Sequence, residues 1–308
     1  DGHIGNAQGR GRLPAGAVAA QKHRHVRFTQ GSGRDTGGHR PHGPSAPADA
    51  RPLSARSVIA STLLGVQPPR LPGRLLVASG QIFGISEGTT RVALSRMVAN
   101  GELEVDDGTY QLAGRLLERQ DRQLASRRAR HRSWSGEWEL VVVTAERRDA
   151  ASRAALRDAV RRMKLAELRE GVWIRPDNLD PDRSPDALAL VAQQCRRFVG
   201  APDHDATGEA DDRALAASLW DLDAWAQAAV AFQRDLEQSS AALTARETAA
   251  MAPAFVLSAA VLRHLLADPE LPDELVPDAW PGPALRAAYD EYDATFKAAW
   301  RDWFREQA

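Results

Sequence analysis

At 308 residues the chain is about twice the length of a typical domain, so two or three domains are expected, each with room for a buried core. The formal charge of −1 conceals an asymmetry: residues 1–50 carry +4, residues 51–134 carry +6 and the remainder carries −11, the division expected when one part of a chain meets a polyanion and another does not. A mean hydropathy of −0.41, with no uninterrupted apolar run approaching about 18 residues, argues against a membrane span, and Cys195 as the single cysteine excludes an internal disulfide or a cysteine-based zinc cluster; a soluble, cytoplasmic protein with no membrane partner is predicted.

Residues 1–50 hold ten of the 23 glycines and five of the eight histidines without any hydrophobic period, and are expected to be a disordered tail. His23, His25, His39 and His42 lack the supporting carboxylates of a metal cage, so no metal site is expected there. Periodicity begins at Arg51. Ser57 to Leu64 has helical spacing and is stopped by Gly65 and the Pro68-Pro69 pair. Leu71 to Phe83 reads as a second helix with Pro72 in its first turn, ended by Gly84. A third starts after Ser86, an N-cap residue type, and runs to about Asn100, where Asn100-Gly101 supplies a left-handed stop. Leu103 to Asp106 and Thr109 to Leu112 alternate around Asp107-Gly108 and predict a tight hairpin. Three helices and a hairpin predict a winged helix-turn-helix, and a charged linker helix at about Arg115 to Arg132 joins it to the next domain, so that residues 51–132 form the first domain.

Glu137 to Val143 reads as a strand, Ser152 to Leu168 as an amphipathic helix and Gly171 to Arg175 as a second strand, a β-α-β unit that predicts a ferredoxin-like domain over 133–205. Gln193 to Val199 fits a later strand or a helix. An acidic loop from about Pro202 to Asp212 leads to helical patterns at Ala214 to Leu243, Arg246 to Leu266 and Pro283 to Glu306, a helical domain over 206–308. The fold class is therefore α+β.

The third helix carries the clearest chemistry. Thr90, Ala93, Leu94 and Met97 form one core-facing stripe. Thr89, Arg91, Val92, Ser95 and Arg96 lie off it, and Ser86 and Gly88 leave backbone N–H groups free to meet a phosphate. A face of Arg, Thr and Ser suits the major groove of double-stranded operator DNA, where Arg can bond a guanine bidentately. The plainer reading is an amphipathic helix with a solvated arginine face; the hairpin beside it favours the DNA reading, since Thr109 or Arg115 can then meet the backbone, although Asp106 and Asp107 at the tip oppose deep insertion. Between residues 51 and 100 six arginines stand against one acid, Glu87.

In the block from Gly171 to Leu179, Pro176 holds Arg175 extended, which makes Arg175 a candidate for an anionic effector, with Trp173 beside it and Asn178 capping the turn. The alternative is a structural arginine paired with Asp177 or Asp180 at a domain junction. Trp220 and Trp280 fit core packing better than ligand stacking, and the run from Pro269 to Pro283 reads as a rigid lid or a dimer contact. No hydrolase, P-loop or zinc-protease motif occurs, and His131, His204 and His264 are isolated. Glu146, Asp149 and Asp158 near the first central strand are the only trace of a metal-dependent nuclease, with a solvated charge the plainer role. No catalytic residue, metal or cofactor is expected.

The stretch from Ser86 to Leu103 resembles the recognition helix of bacterial winged-helix repressors such as the GntR group, and much more closely that of the PaaX family, the phenylacetic acid degradation repressors. Three stretches carry the likeness: Phe83 to Leu112, the block Gly171 to Leu179, and Asp268 to Gly282; Trp220-Asp221-Leu222 is a shorter fourth. The resemblance spans about 53 to 295. It implies a winged helix, a central ferredoxin-like domain similar to a small CRISPR-associated nuclease, and a helical C-terminal domain. It further implies a homodimer that represses a catabolic operon and is released by an aryl-acyl-CoA effector, typically phenylacetyl-CoA. A nuclease or an acyl-CoA-acting enzyme on a DNA-binding module is the competing function. The chain departs from the family pattern at Thr90, where Val is usual, and from Phe255 to Leu266, which is richer in Ala and Leu.

Overall fold

The computed structural model describes residues 53–126, 131–145, 147–180, 184–202 and 211–307. The expectations for residues 1–50, for Glu146 and for His204 lie outside the described residues.

The first unit runs α1 (Ala55–Leu64), β1 (Arg70–Pro72), α2 (Gly73–Ile82), α3 (Glu87–Ala99), β2 (Leu103–Asp106), β3 (Thr109–Leu112) and α4 (Gly114–Ser126). Its antiparallel sheet has the order β1-β3-β2. Asp107 and Gly108 take φ of 42° and 70°, the pair of positive angles that a two-residue hairpin turn requires. The elements are ordered as in a winged helix-turn-helix, with one correction to the sequence reading. Leu71 and Pro72 do not open α2; they pair with Tyr110 and Thr109 as a third strand, and Pro72 becomes the cap of a helix that starts at Gly73. A three-residue strand is too short to show alternation, and its partner lies some forty residues away in sequence. Ile59, Leu63, Leu76, Leu94, Met97, Leu103 and Leu112 fill the core between the helices and the sheet. Gln120 of α4, 2% exposed, donates to the carbonyls of Leu64 at 2.9 Å and Val66 at 3.1 Å, satisfying acceptors at the end of α1.

The middle unit runs β4 (Trp138–Val143), α5 (Ala150–Arg162), β5 (Ala166–Arg169), β6 (Val172–Pro176), α6 (Pro185–Gln194) and β7 (Cys195–Gly200), with the strand order β5-β6-β4-β7 of a ferredoxin-like sheet. The predicted helix over 152–168 is too long. It ends at Arg162, Lys164 turns the chain with φ 63°, and Ala166 to Arg169 join the sheet. The later segment resolves into α6 followed by β7. One face of the sheet, through Val141 and Trp173, packs on Leu156 and Val160 of α5, on Met163 just after it and on Val191 of α6. The other face, through Trp138 and Ile174, packs on Leu222, Leu271, Leu275 and Val276.

The C-terminal unit comprises α7 (Asp212–Leu219), α8 (Leu222–Thr244), α9 (Met251–Ala267) and α10 (Gly282–Glu306). The single helix expected from Ala214 breaks at Trp220-Asp221, where the Asp221 carboxylate caps α8 by accepting the Ala224 N–H at 3.1 Å. Trp225, Phe255, Leu265, Tyr289, Tyr292 and Trp300 build the core. Buried hydroxyls are satisfied there: Tyr289 and Ser258 share a hydrogen bond of 2.8 Å, and Tyr292 donates to the Ala254 carbonyl at 3.0 Å. Trp280 stacks on Trp225 with ring centroids 4.6 Å apart, as core packing predicts. Thr248 to Ala267 is the described stretch with the length and hydropathy of a membrane span, and it sends Met251, Phe255, Val261 and Leu265 into this core. The run from Pro269 to Pro283 is a strap between α9 and α10, and its Leu271, Leu275 and Val276 are buried against the central sheet. Phe83, just after α2, packs edge-on against Phe255 at 5.0 Å and joins the first unit to the third.

Candidate nucleic-acid interface

Helix α3 is fixed at both ends by its own sequence. Ser86 is extended, and its Oγ accepts the Thr89 N–H at 3.2 Å while sharing a 2.8 Å hydrogen bond with the Thr89 hydroxyl. At the other end Gly101 takes φ 67°, Glu102 N–H returns to the Met97 carbonyl at 2.9 Å and Gly101 N–H to that of Val98 at 3.0 Å, a paired C-terminal cap. The inner stripe lies where the spacing places it: Thr90, Leu94 and Met97 are buried and Ala93 is half-buried. Thr90, the departure from the family pattern, satisfies its buried hydroxyl by donating to the Ser86 carbonyl at 3.1 Å. It also presses on α2. A Cβ at Gly80 would stand 2.5 Å from Thr90 Oγ1, closer than atoms pack, so the crossing of the two helices depends on a glycine there.

The outer face gathers six of the seven residues singled out for DNA. Ser86, Thr89, Arg91, Val92, Ser95 and Arg96 are all exposed or half-exposed, Val92 by 51%. No carboxylate among the described residues pairs with Arg96. Arg91 is engaged: its guanidinium lies 2.7 Å from the Glu87 carboxylate, one turn earlier. A shallow concavity of about 580 Å³ runs along this face between Thr89, Val92 and Arg96 of α3 and Ser54 to Arg56 at the start of α1. Arg56 went unnoticed in the sequence because its partner is 46 residues away. It is bonded through Nε and Nη2 to the Glu102 carboxylate, and that hydrogen bonding holds Glu102 below the usual carboxylate range and Arg56 above its own. The seventh residue, Thr109, sits half-buried in the wing opposite Asp106, beside exposed Glu104 and Asp107. An acidic wing and a cationic helix face are therefore set side by side.

Trp173, Arg175 and Asn178 have a different setting. Trp173 is in the core under α5 and α6. Arg175 is fully buried. Its Nε donates to the Pro176 carbonyl at 2.9 Å, and its Nη2 donates to Asn178 Oδ1 at 2.7 Å and to the Glu270 carbonyl at 3.3 Å. Asn178 Nδ2 also donates to the Glu270 carbonyl, at 3.0 Å. Lys164, which the sequence did not single out, completes this junction. Its Nζ donates to the carbonyls of Leu266 at 2.6 Å and Asp268 at 2.9 Å, at the end of α9, and lies 3.4 Å from the Glu270 carboxylate. Burial pulls its pKa down against the opposing pull of Glu270 and Asp268. Asp268 in turn binds Arg286 of α10 at 2.7 Å, and Asp177 is held by Arg132 at 2.8 Å. The block thus grips the strap.

The acids near β4 have local partners. Asp149 caps α5 through the Ser152 N–H at 2.7 Å, which draws its pKa below the normal value, and Asp158 pairs with Arg162 at 3.4 Å. Among the described residues no three His, Cys, Asp or Glu side chains converge as a metal site. His131 bridges to Leu179 through the backbone, and His264 is stacked on Trp225 with centroids 4.4 Å apart.

Three family descriptions match the chain in succession: the PaaX-like protein over residues 54–116, the PaaX protein central Cas2-like domain over 131–205, and the PaaX-like protein C-terminal domain over 220–306. Among solved structures, an uncharacterized protein from Mycobacterium tuberculosis, Rv0674, is 40% identical with a TM-score of 0.59, covering 81% of this chain and 98% of its own. No curated protein matches. With each of its three units matched in order, and a relative of this identity along nearly its whole length, the chain belongs to the PaaX family.

Proposed function

We propose that this protein is a DNA-binding transcriptional repressor of a catabolic operon for aromatic acids of the phenylacetate type, acting as a homodimer and released by an aryl-acyl-CoA. The observation that carries the DNA reading is the outer face of α3: Arg91, Arg96, Thr89, Val92 and Ser95 stand together on a helix whose inner stripe and both caps are fixed. In the major groove Arg96 and Arg91 bond guanine edges or phosphates, Val92 meets a thymine methyl, and the N–H groups after Ser86 receive a phosphate. The acidic wing keeps to the margin of the duplex, with Thr109 as its contact.

Release comes from unequal binding of a ligand to two arrangements of the units. In this reading the acyl-CoA competes with the Glu270 carbonyl for Arg175 and Asn178, so ligand entry and loosening of the strap are one event, with Trp173 beneath them. The test uses duplexes from the region upstream of the genes beside its own. Gel shifts at fixed salt should give a specific complex that phenylacetyl-CoA dissolves and free CoA does not. Equal effects of the two compounds would remove the aryl-acyl assignment. Turnover of DNA with magnesium, or of the acyl-CoA, would instead favour an enzyme.

A further inference from the structure

A second concavity lies where the winged-helix unit meets the C-terminal unit. Its walls come from the end of α1 and from α4 on one side and from α9 and α10 on the other, with Leu64, Leu124, Phe255, Leu262 and Phe296 as the apolar part. Two hydroxyls interrupt that apolar surface: Ser258 and Tyr289, 8% and 1% exposed, which share a 2.8 Å hydrogen bond. Arg119 and Lys297 also line it, against one carboxylate, Asp293, which lies 2.8 Å from the Lys297 ammonium. An apolar recess with a few polar groups and an excess of positive charge is the make-up of a site for a small molecule with an apolar body and an anionic head. A mere fault in packing would be lined by apolar atoms alone. Size narrows the guest further. The enclosed space is about 70 Å³, roughly half of the roughly 150 Å³ that holds benzene in an engineered cavity, so it receives one ring, and only by widening the gap between the two units.

We propose that this cleft binds a small free carboxylic acid carrying a single aromatic or alicyclic ring, with the ring against Phe255 and Phe296 and the carboxylate at Lys297. The Lys297 side chain is 38% exposed, so it can turn from Asp293 to a guest without uncovering the core. Charge separates the free acid from its thioesters. A carboxylate forms a charge-assisted hydrogen bond with an ammonium, whereas a thioester carbonyl is neutral and a weaker acceptor. The cleft is therefore a site apart from the acyl-CoA junction at Arg175. Phe255 links it to the reading helix. Its ring lines the cleft and also packs edge-on at 5.0 Å against Phe83, which ends α2 three positions before the Ser86 cap of α3. Gln120 lines the cleft as well, while holding the end of α1. A guest that widens the gap thus acts on both helices that support α3, and it binds the widened arrangement better than the closed one. This coupling, unlike the binding itself, rests on the DNA-binding reading.

Titration calorimetry of the full chain with phenylacetate, and with phenylacetamide as its neutral isostere, tests the binding. The acid should bind one to one with a dissociation constant of about 1 mM or tighter, and the amide about tenfold more weakly. Lys297→Gln should remove the difference between the two compounds, and Ala259→Phe, which fills the cleft from α9, should abolish both signals with an unchanged circular dichroism spectrum. No binding of the acid by the wild-type protein, equal affinities for acid and amide, a difference that persists in Lys297→Gln, or binding that survives a folded Ala259→Phe protein would overturn the proposal. Displacement of the acid by an equal concentration of phenylacetyl-CoA would also overturn it, by giving the cleft to the thioester. Gel shifts test the coupling: saturating phenylacetate should change duplex affinity about threefold or more, and an unchanged affinity would overturn that part. If the acid binds but the protein shifts no duplex at all, the repressor reading fails and the cleft stands.

Discussion

Two arginines, Arg96 on α3 and Arg175 on β6, look alike in sequence, each an isolated cation beside small or apolar neighbours and each assigned to an anion. Their surroundings are opposite. Arg96 is exposed and no described carboxylate pairs with it, whereas Arg175 is fully buried with its guanidinium bonded to Asn178, to the Pro176 carbonyl and to the Glu270 carbonyl of the strap. An exposed guanidinium can be lent to an outside partner at little cost to the fold. A buried one is part of the fold, because removing it strands the acceptors it satisfied.

The sharpest way to break this comparison is to delete each arginine and read stability and DNA binding together. Arg175→Met should cost roughly 3–5 kcal/mol in urea or thermal unfolding, since it leaves the Glu270 carbonyl and Asn178 without their cationic donor. Lys164→Met, which uncaps α9 and strips Glu270 of its partner, should follow with about 2–3 kcal/mol by the same measurement. Arg96→Ala should leave the unfolding midpoint unchanged and weaken operator binding by roughly 1–3 kcal/mol in gel shifts at fixed salt. A loss of stability with Arg96, or none with Arg175, would erase the distinction. Asp221→Ala touches neither arginine and should cost only about 1 kcal/mol, the value of one helix cap.

The smallest expected effect concerns pH. Burial lowers the His264 pKa below its ordinary value, outweighing the hydrogen bond to the Trp225 carbonyl and the Asp268 charge. The unfolded chain then binds the proton more readily than the folded one. Stability from this residue is present above the unfolded pKa, near 6.5, and declines as pH falls from there through the lower folded value. Thermal unfolding between pH 7 and 5 should show the decline, and His264→Gln should flatten it.

The sequence was most legible where the signal is local. The hairpin was set by alternation around Asp107-Gly108, and α3 by its cap, its inner stripe and Asn100-Gly101, so the exposed face of the candidate site could be named residue by residue. Signals that depend on distant partners were lost. β1 is three residues that become a strand only against β3, β5 was hidden inside an overlong helix because Lys164 turns with a positive φ that no glycine announced, and the grip of Arg56 on Glu102 spans two elements. For Arg175 the alternatives of ligand contact and junction residue share one local pattern, and its burial against the strap was not legible there, because Glu270 lies 95 residues away.

The contact between Gly80 and Thr90 constrains how this protein can change. A methyl group at position 80 has no room while position 90 carries the γ oxygen that stands there, so the tolerated history is ordered: position 90 must shrink to alanine before position 80 can grow. Taken in the wrong order, the added carbon would tilt α3 on its support and redirect the face that carries Arg91 and Arg96. Under the proposed DNA-binding role, a substitution buried between two helices would then register as an altered choice of DNA site, with every residue of that face still in place.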